Sequence, residues 1–238
     1  MTAPLSARQL TGKDDSHLCT LPDGARLHPE AAAAFLRLRD AAAEAGFDLA
    51  IASAHRSFQR QCAIWNGKAC GQRPVHDDRG RPVDVAALPA VERLHAILRY
   101  SALPGTSRHH WGSDLDVYDA AAVPADYRVR LTPEEVGPAG PFARLHAWLD
   151  TRMAVDACEG FFRPYGVDRG GVAAERWHLS YAPVAVLCES RMEASMLCDC
   201  WDGELLELRG AVEDALPELL TRYVRVPVDW CPAHYRQA

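Results

Sequence analysis

Apolar positions change their period several times along this chain, and each change predicts an element. Between Pro29 and Ala45 an Ala-rich run carries Phe35, Leu36 and Leu38 among charges, and Gly46 follows where a helix end favours glycine. That pattern predicts a helix with a stop. Phe47, Leu49 and Ile51 then alternate at period two, predicting a strand that delivers Ser53 to Arg56 at its end. Ser57 is placed to cap a second helix running to about Lys68. Residues 69–89 hold Gly71, Pro74, Gly80, Pro82 and an Asp77-Asp-Arg-Gly run, which predicts a long exposed loop. Loops of that length in compact domains often act as lids.

A helix is predicted from Leu88 to Ala102, ended by Pro104-Gly105. The extended stretch beyond it turns Leu115 and Val117 one way and Asp114, Asp116 and Tyr118 the other. Two carboxylates on one face of an apolar strand need a partner. Residues 123–141 read as irregular, and Phe142 to Met153 as a helix with Leu145, Trp148 and Leu149 on one stripe. Phe161-Phe162 and Trp177-His-Leu-Ser-Tyr181 read as strands joined through the Gly170-Gly171 region, and the chain after Pro183 as mainly helical with a short strand at Tyr223-Val-Arg-Val226. The order predicts an α+β fold in which a small, mainly antiparallel sheet is flanked by helices and followed by a helical C-terminal extension. The divisions are an N-terminal segment 1–26, a main domain 27–182, and an extension 183–238 packed on that domain.

Composition narrows the function classes. With 238 residues, 48% of them hydrophobic, the chain can bury a substantial core. A net charge of -6 with no long run of Lys or Arg argues against a nucleic-acid surface or a polybasic membrane patch. No basic leader with an apolar core opens the chain and no window is long and apolar enough to span a bilayer, so the expected location is cytoplasmic. Eight cysteines in such a chain are expected to be reduced thiols. Cys198, Cys200, Cys231 and His234 form a loosely spaced set that is the alternative, a second, structural zinc site.

The chemistry concentrates in Ser107-Arg-His-His-Trp-Gly-Ser-Asp-Leu-Asp116 and Glu175-Arg-Trp-His178. Two imidazoles and one carboxylate leave a catalytic zinc one open position for water. These segments resemble the S-x-H-x-x-G-x-A-x-D and E-x-W-H signatures of the zinc D-alanyl-D-alanine carboxypeptidases and dipeptidases, which include the vancomycin-resistance enzymes. Ser53-Ala-His-Arg-Ser57 with Gln61 is similar to the upstream S-x-Y-R-S-x-x-x-Q element of that family. His55 stands where the family usually has Tyr, and Asp114 where it usually has Ala.

The resemblance implies one catalytic zinc held by His109, Asp116 and His178, with His110 and Asp114 as neighbours. It implies Glu175 as general base, although the spacing alone does not establish that role: residues three apart in a strand point to opposite faces, so Glu175 must lie in a bend before the strand. Arg56 is the residue expected either to bind the substrate's terminal carboxylate bidentately or to polarise the scissile carbonyl. Gln61 and Ser107 are expected to hydrogen-bond the peptide, and Trp111 and Trp177 to shield the metal or to be core. Asp114 either fixes a ligand histidine through its free ring nitrogen or pairs with Arg108.

The expected activity is zinc-dependent D,D-carboxypeptidase hydrolysis of a C-terminal D-alanine from small peptidoglycan-derived peptides. The rival readings are a D,D-dipeptidase, an L,D-carboxypeptidase acting on cytoplasmic muropeptides, and a non-catalytic zinc-binding recognition module.

Overall fold

A computed structural model describes residues 4–232 and Tyr235. Nine α-helices alternate with six short strands among these residues. In chain order they are α1 (Ala7–Leu10), β1 (Cys19–Thr20), β2 (Arg26–Leu27), α2 (Pro29–Glu44), β3 (Leu49–Ser53), α3 (Phe58–Ala69) and α4 (Ala90–Leu98). There follow β4 (Asp114–Asp119), α5 (Pro133–Val136), α6 (Ala143–Ala154), β5 (Phe161–Phe162), β6 (His178–Tyr181), α7 (Ala182–Ser190), α8 (Ala194–Trp201) and α9 (Arg209–Leu219). β1 and β2 form a small ribbon, and the main sheet has the order β3-β4-β6-β5 with every neighbouring pair antiparallel. The expected α+β architecture with a small antiparallel sheet is the one observed.

Two apolar clusters flank the site. α2 buries Ala31, Ala34, Phe35, Leu38 and Ala42, and the sheet turns Leu49, Leu115, Val117 and Leu179 toward it. α6 adds Leu145 and Leu149 to the same cluster. Each large aliphatic side chain fully buried in this way stabilises the fold by about 1.5–3 kcal/mol. The second cluster joins Phe58 and Trp65 of α3, Leu94 and Ile97 of α4, Trp111, and Val184, Leu197, Trp201, Val212 and Leu216 of α7 to α9. Residues 103–117 run from one cluster to the other, with Leu103 and Trp111 in the second and Leu115 and Val117 in the first. The chemistry lies where they meet.

Local signals behaved largely as expected. Ser57 caps α3 by accepting a hydrogen bond from the Arg60 amide, and Gly46 follows α2 with a positive φ of 84°. Three expectations need correction. Tyr223 and Val224 lie in a π-turn (Leu220–Val224) that continues α9, with no strand at 223–226, because the apolar side chains there close a helical face. Residues 69–89 form the expected, mostly exposed loop but not a lid: Val75 and Val85 are buried, His76 and Pro82 form a β-bridge, and Arg99 ties Asp78 to Asp168. None of them lines the cavity described below. Finally, Cys198 and Cys200 pack with the second cluster whereas Cys231 packs with Phe162 and Ala182, so these thiols do not converge on a metal. His234 lies outside the described residues. No helix among the described residues is long and apolar enough to cross a membrane.

Candidate active site

Register is what assembles the site. Asp116 of β4 is the direct cross-strand partner of His178 of β6, so both side chains leave the same face of the sheet, opposite the buried Leu115 and Leu179. His109 arrives from the preceding segment, which the sequence reading took as extended. It is instead a 3₁₀ turn (Arg108–His110) followed by Gly112. Gly112 has φ 71°, and a Cβ there would come within 2.6 Å of the His28 backbone nitrogen, so glycine alone permits the bend into β4. The result is a group of His109, Asp116 and His178 whose ligand atoms all lie within 4.8 Å of one another. Among the described residues it is the one such group.

The donor set fits a divalent cation. Burial, partly offset by Asp116, pushes His109 down to about 4, leaving the neutral imidazole that a metal requires. Asp116 is held below the ordinary carboxylate range because His109, His178 and Arg56 outweigh the burial that would raise it. His178 donates from Nε2 to Asp114 Oδ1 at 3.0 Å, which turns Nδ1 toward Asp116 Oδ1 at 3.2 Å. Asp116 Oδ1 is buried without a hydrogen bond. A neutral ring would therefore set two lone pairs against each other, an arrangement that only a proton or a cation relieves. Burial disfavours the imidazolium, yet the carboxylates of Asp114 and Asp116 outweigh it and push His178 up to about 10. A metal ion at Nδ1 would take the place of that proton.

Glu175 sits in a turn just before β6, its carbonyl accepting from the His178 amide at 3.1 Å. The bend required by its spacing is present. Its Oε2 lies 3.7 Å from His178 Nδ1, and burial pushes the carboxyl up to about 7. Arg56 is locked to the His109 segment by its backbone: its N–H donates to the His109 carbonyl, and its carbonyl accepts from His110 Nδ1 at 2.6 Å. The Gly105 amide donates to His110 Nε2, which assigns the hydrogen of that ring to Nδ1. His110 is thus a structural bracket between the two motifs.

A cavity of about 270 Å³ opens over these groups and is lined by Arg56, Ser107, His109, Asp116, Glu175 and His178, among others. Gln61 is not in its wall. It is fully buried, accepts from Arg56 Nη1 at 3.0 Å and donates to the Ala102 carbonyl at 2.6 Å, so it orients Arg56 from behind. His55, at the departure from the family pattern, faces a separate depression with Asp23 and Arg26. Trp177 lines the cavity, whereas Trp111 is core and donates to the Leu10 carbonyl. Sequence reasoning missed Tyr165, whose ring centroid is 5.1 Å from that of His178, and Ser101 with Lys68. No motif marks any of the three, since each reaches the site only through folding.

Asp114 makes both contacts foreseen for it, to His178 and to Arg108. Besides bonding His178 it accepts from Arg108 Nε at 2.9 Å and from the Ser113 hydroxyl. Arg108, itself buried, also reaches Glu189 at 2.6 Å and Ser180 at 2.9 Å.

An uncharacterized protein of Haemophilus influenzae is 44% identical over 103 residues, covering 42% of this chain and 70% of the relative. A second uncharacterized protein of that organism is 27% identical over 123 residues, covering 51% of this chain and 92% of its own. Among solved structures, a mutant of the vancomycin-resistance D,D-pentapeptidase VanY in complex with Zn(II) superposes with a TM-score of 0.51 at 23% identity, covering 75% of this chain and 82% of that one. VanYB in complex with D-alanine-D-alanine gives a TM-score of 0.51 at 20% identity, covering 78% and 85%. At these identities the likeness is one of fold. The family model for VanY, D-alanyl-D-alanine carboxypeptidase, matches residues 24–184, which include the three elements of the site. The chain belongs to the VanY family of D-alanyl-D-alanine carboxypeptidases.

Proposed function

We propose that this protein is a zinc-dependent D,D-carboxypeptidase that hydrolyses the C-terminal D-alanine of peptidoglycan-derived peptides, with His109, Asp116 and His178 holding the ion. The observation that carries the reading is the convergence of these three side chains beside a buried Glu175 in a cavity that also exposes Arg56. A zinc ion bound there supplies Lewis acidity toward the scissile carbonyl and acidifies water. Glu175, with its carboxyl near 7, is suited to take a proton from the attacking water and return it to the departing amine. Asp114 and Arg108 keep His178 in the tautomer that leaves Nδ1 for the metal. Arg56, held by Gln61 and by the His109 carbonyl, is oriented to pair with the peptide's terminal carboxylate. Membership of the VanY family supports the same substrate class.

The test is release of D-alanine from a pentapeptide ending in D-Ala-D-Ala, from a tetrapeptide with an L,D terminal bond, and from free D-Ala-D-Ala. Zinc-dependent release from the pentapeptide alone is the expected result. Preference for the tetrapeptide or the free dipeptide would move the assignment to an L,D-carboxypeptidase or a D,D-dipeptidase, and zinc binding with no release from any of them would leave a recognition module.

A further inference from the structure

The family match ends at residue 184, yet the cavity does not. Leu216 and Leu219 of α9 and Leu220, Tyr223 and Val224 of the π-turn line it, together with Leu98 at the end of α4. Pro217 interrupts the hydrogen-bond ladder of α9 because it has no N–H, and the chain continues as the wider π-turn that presents Leu220 and Tyr223. This face is fixed against α4 by a hydrogen bond of 2.9 Å between Tyr223 Oη and His95 Nδ1, with the two rings stacked.

The same end of α4 carries a polar group aimed at the cavity. Ser101 lines it, and Lys68 Nζ donates to Ser101 Oγ at 2.6 Å. An ammonium has no acceptor, so Ser101 must accept, and its own O–H is left for another partner. Among the described residues that O–H makes no further hydrogen bond. Ala102, the next residue, anchors Gln61 and through it Arg56. A guanidinium and a hydroxyl backed by an ammonium thus line the same cavity as the apolar wall from α9 and the π-turn.

We propose that the C-terminal extension builds the subsite for the departing residue, whose carboxylate binds Arg56 and Ser101 and whose side chain packs on Leu98, Leu216, Leu220 and Tyr223. The site accordingly takes apolar terminal residues, including ones larger than alanine, and disfavours polar ones. This inference rests on the peptidase reading above.

The test uses the zinc-loaded full chain and peptides that differ only in the C-terminal residue: D-alanine, D-2-aminobutyrate, D-norvaline and D-serine. Burial of one methylene corresponds to about a fourfold effect, so kcat/KM should rise from D-alanine to D-norvaline by up to about fourfold per carbon and fall for D-serine. In Leu216→Ala and Leu220→Ala the gain per carbon should shrink while zinc content stays at the parental level. Ser101→Ala should raise KM for all the free-acid peptides without changing their ranking. A parent that prefers D-serine or rejects every residue beyond D-alanine overturns the proposal, as does an unchanged gain per carbon in both leucine variants when circular dichroism shows them folded. No release from any peptide by zinc-loaded parent would overturn the peptidase reading itself, and this subsite with it.

Discussion

Asp114 Oδ1 accepts a hydrogen bond from His178 Nε2 at 3.0 Å, with both residues buried. The family signature usually carries alanine at the Asp114 position, so this chain adds a carboxylate behind a metal-ligand candidate and neutralises it with Arg108. Carboxylates in that place orient the ring and raise its basicity, and their loss typically weakens metal binding about 10–100-fold. Asp114→Asn should therefore bind zinc at least tenfold more weakly in a chelator competition. Affinity within twofold of the parent would limit Asp114 to balancing Arg108.

Removing Arg108 should be costly for the fold. It is the shared cation of Asp114 and Glu189 in a buried network, and breaking such a pair strands an uncompensated charge. Arg108→Met should lose about 3–5 kcal/mol in urea unfolding. A loss below about 1 kcal/mol would mean that water replaces the guanidinium.

Glu175→Gln should keep zinc and fold but lower kcat by about a hundredfold to ten-thousandfold, because an amide cannot accept the proton. His178→Ala should by contrast lose the metal. Elemental analysis beside steady-state kinetics separates the two, and kcat within a few fold of the parent would remove Glu175 from the mechanism.

Arg56→Lys keeps the charge but not the bidentate fork, so it should impair turnover of free-acid peptides. The parent should strongly prefer a free acid to the same peptide with an amidated terminus, and the preference should shrink in the variant. Equal cleavage of acid and amide by the parent would leave Arg56 with a carbonyl-polarising role.

Acid should destabilise the protein partly through His146 of α6. It is fully buried, and burial reinforced by Arg163 and Arg176 pushes it down to about 3. Below its ordinary value near 6.5 the unfolded chain takes up a proton that the folded chain refuses, so stability falls from about pH 6.5 toward 3 and is unaffected above. The slope for one such group is about 1.4 kcal/mol per pH unit. His146→Leu should lose roughly 1–2 kcal/mol less than the parent between pH 7 and pH 5, measured by urea unfolding at each pH. Parallel losses in the two proteins would show that His146 becomes protonated in the folded state.

Much was legible in the sequence because much of it is local. The helix over α2, its glycine stop, the Ser57 cap and the alternation that gives β4 one apolar and one acidic face depend on residues a few positions apart, where backbone sterics and side-chain period decide. His109, Asp116, Glu175 and His178 could be named because short motifs carry them. What folding alone decided are contacts between distant parts of the chain. The cross-strand register sets His178 opposite Asp116 and diagonal to Asp114, and a slip of one residue would turn every one of these side chains to the other face of the sheet. Gln61 looked like a substrate contact but is spent on Arg56 and Ala102, a partner 41 residues away. Tyr223 looked like a strand residue but closes the cavity from a π-turn, because its place depends on packing against α4 rather than on the alternation around it. Periodicity reports which face of an element is buried, and only the tertiary structure reports what that face is buried against.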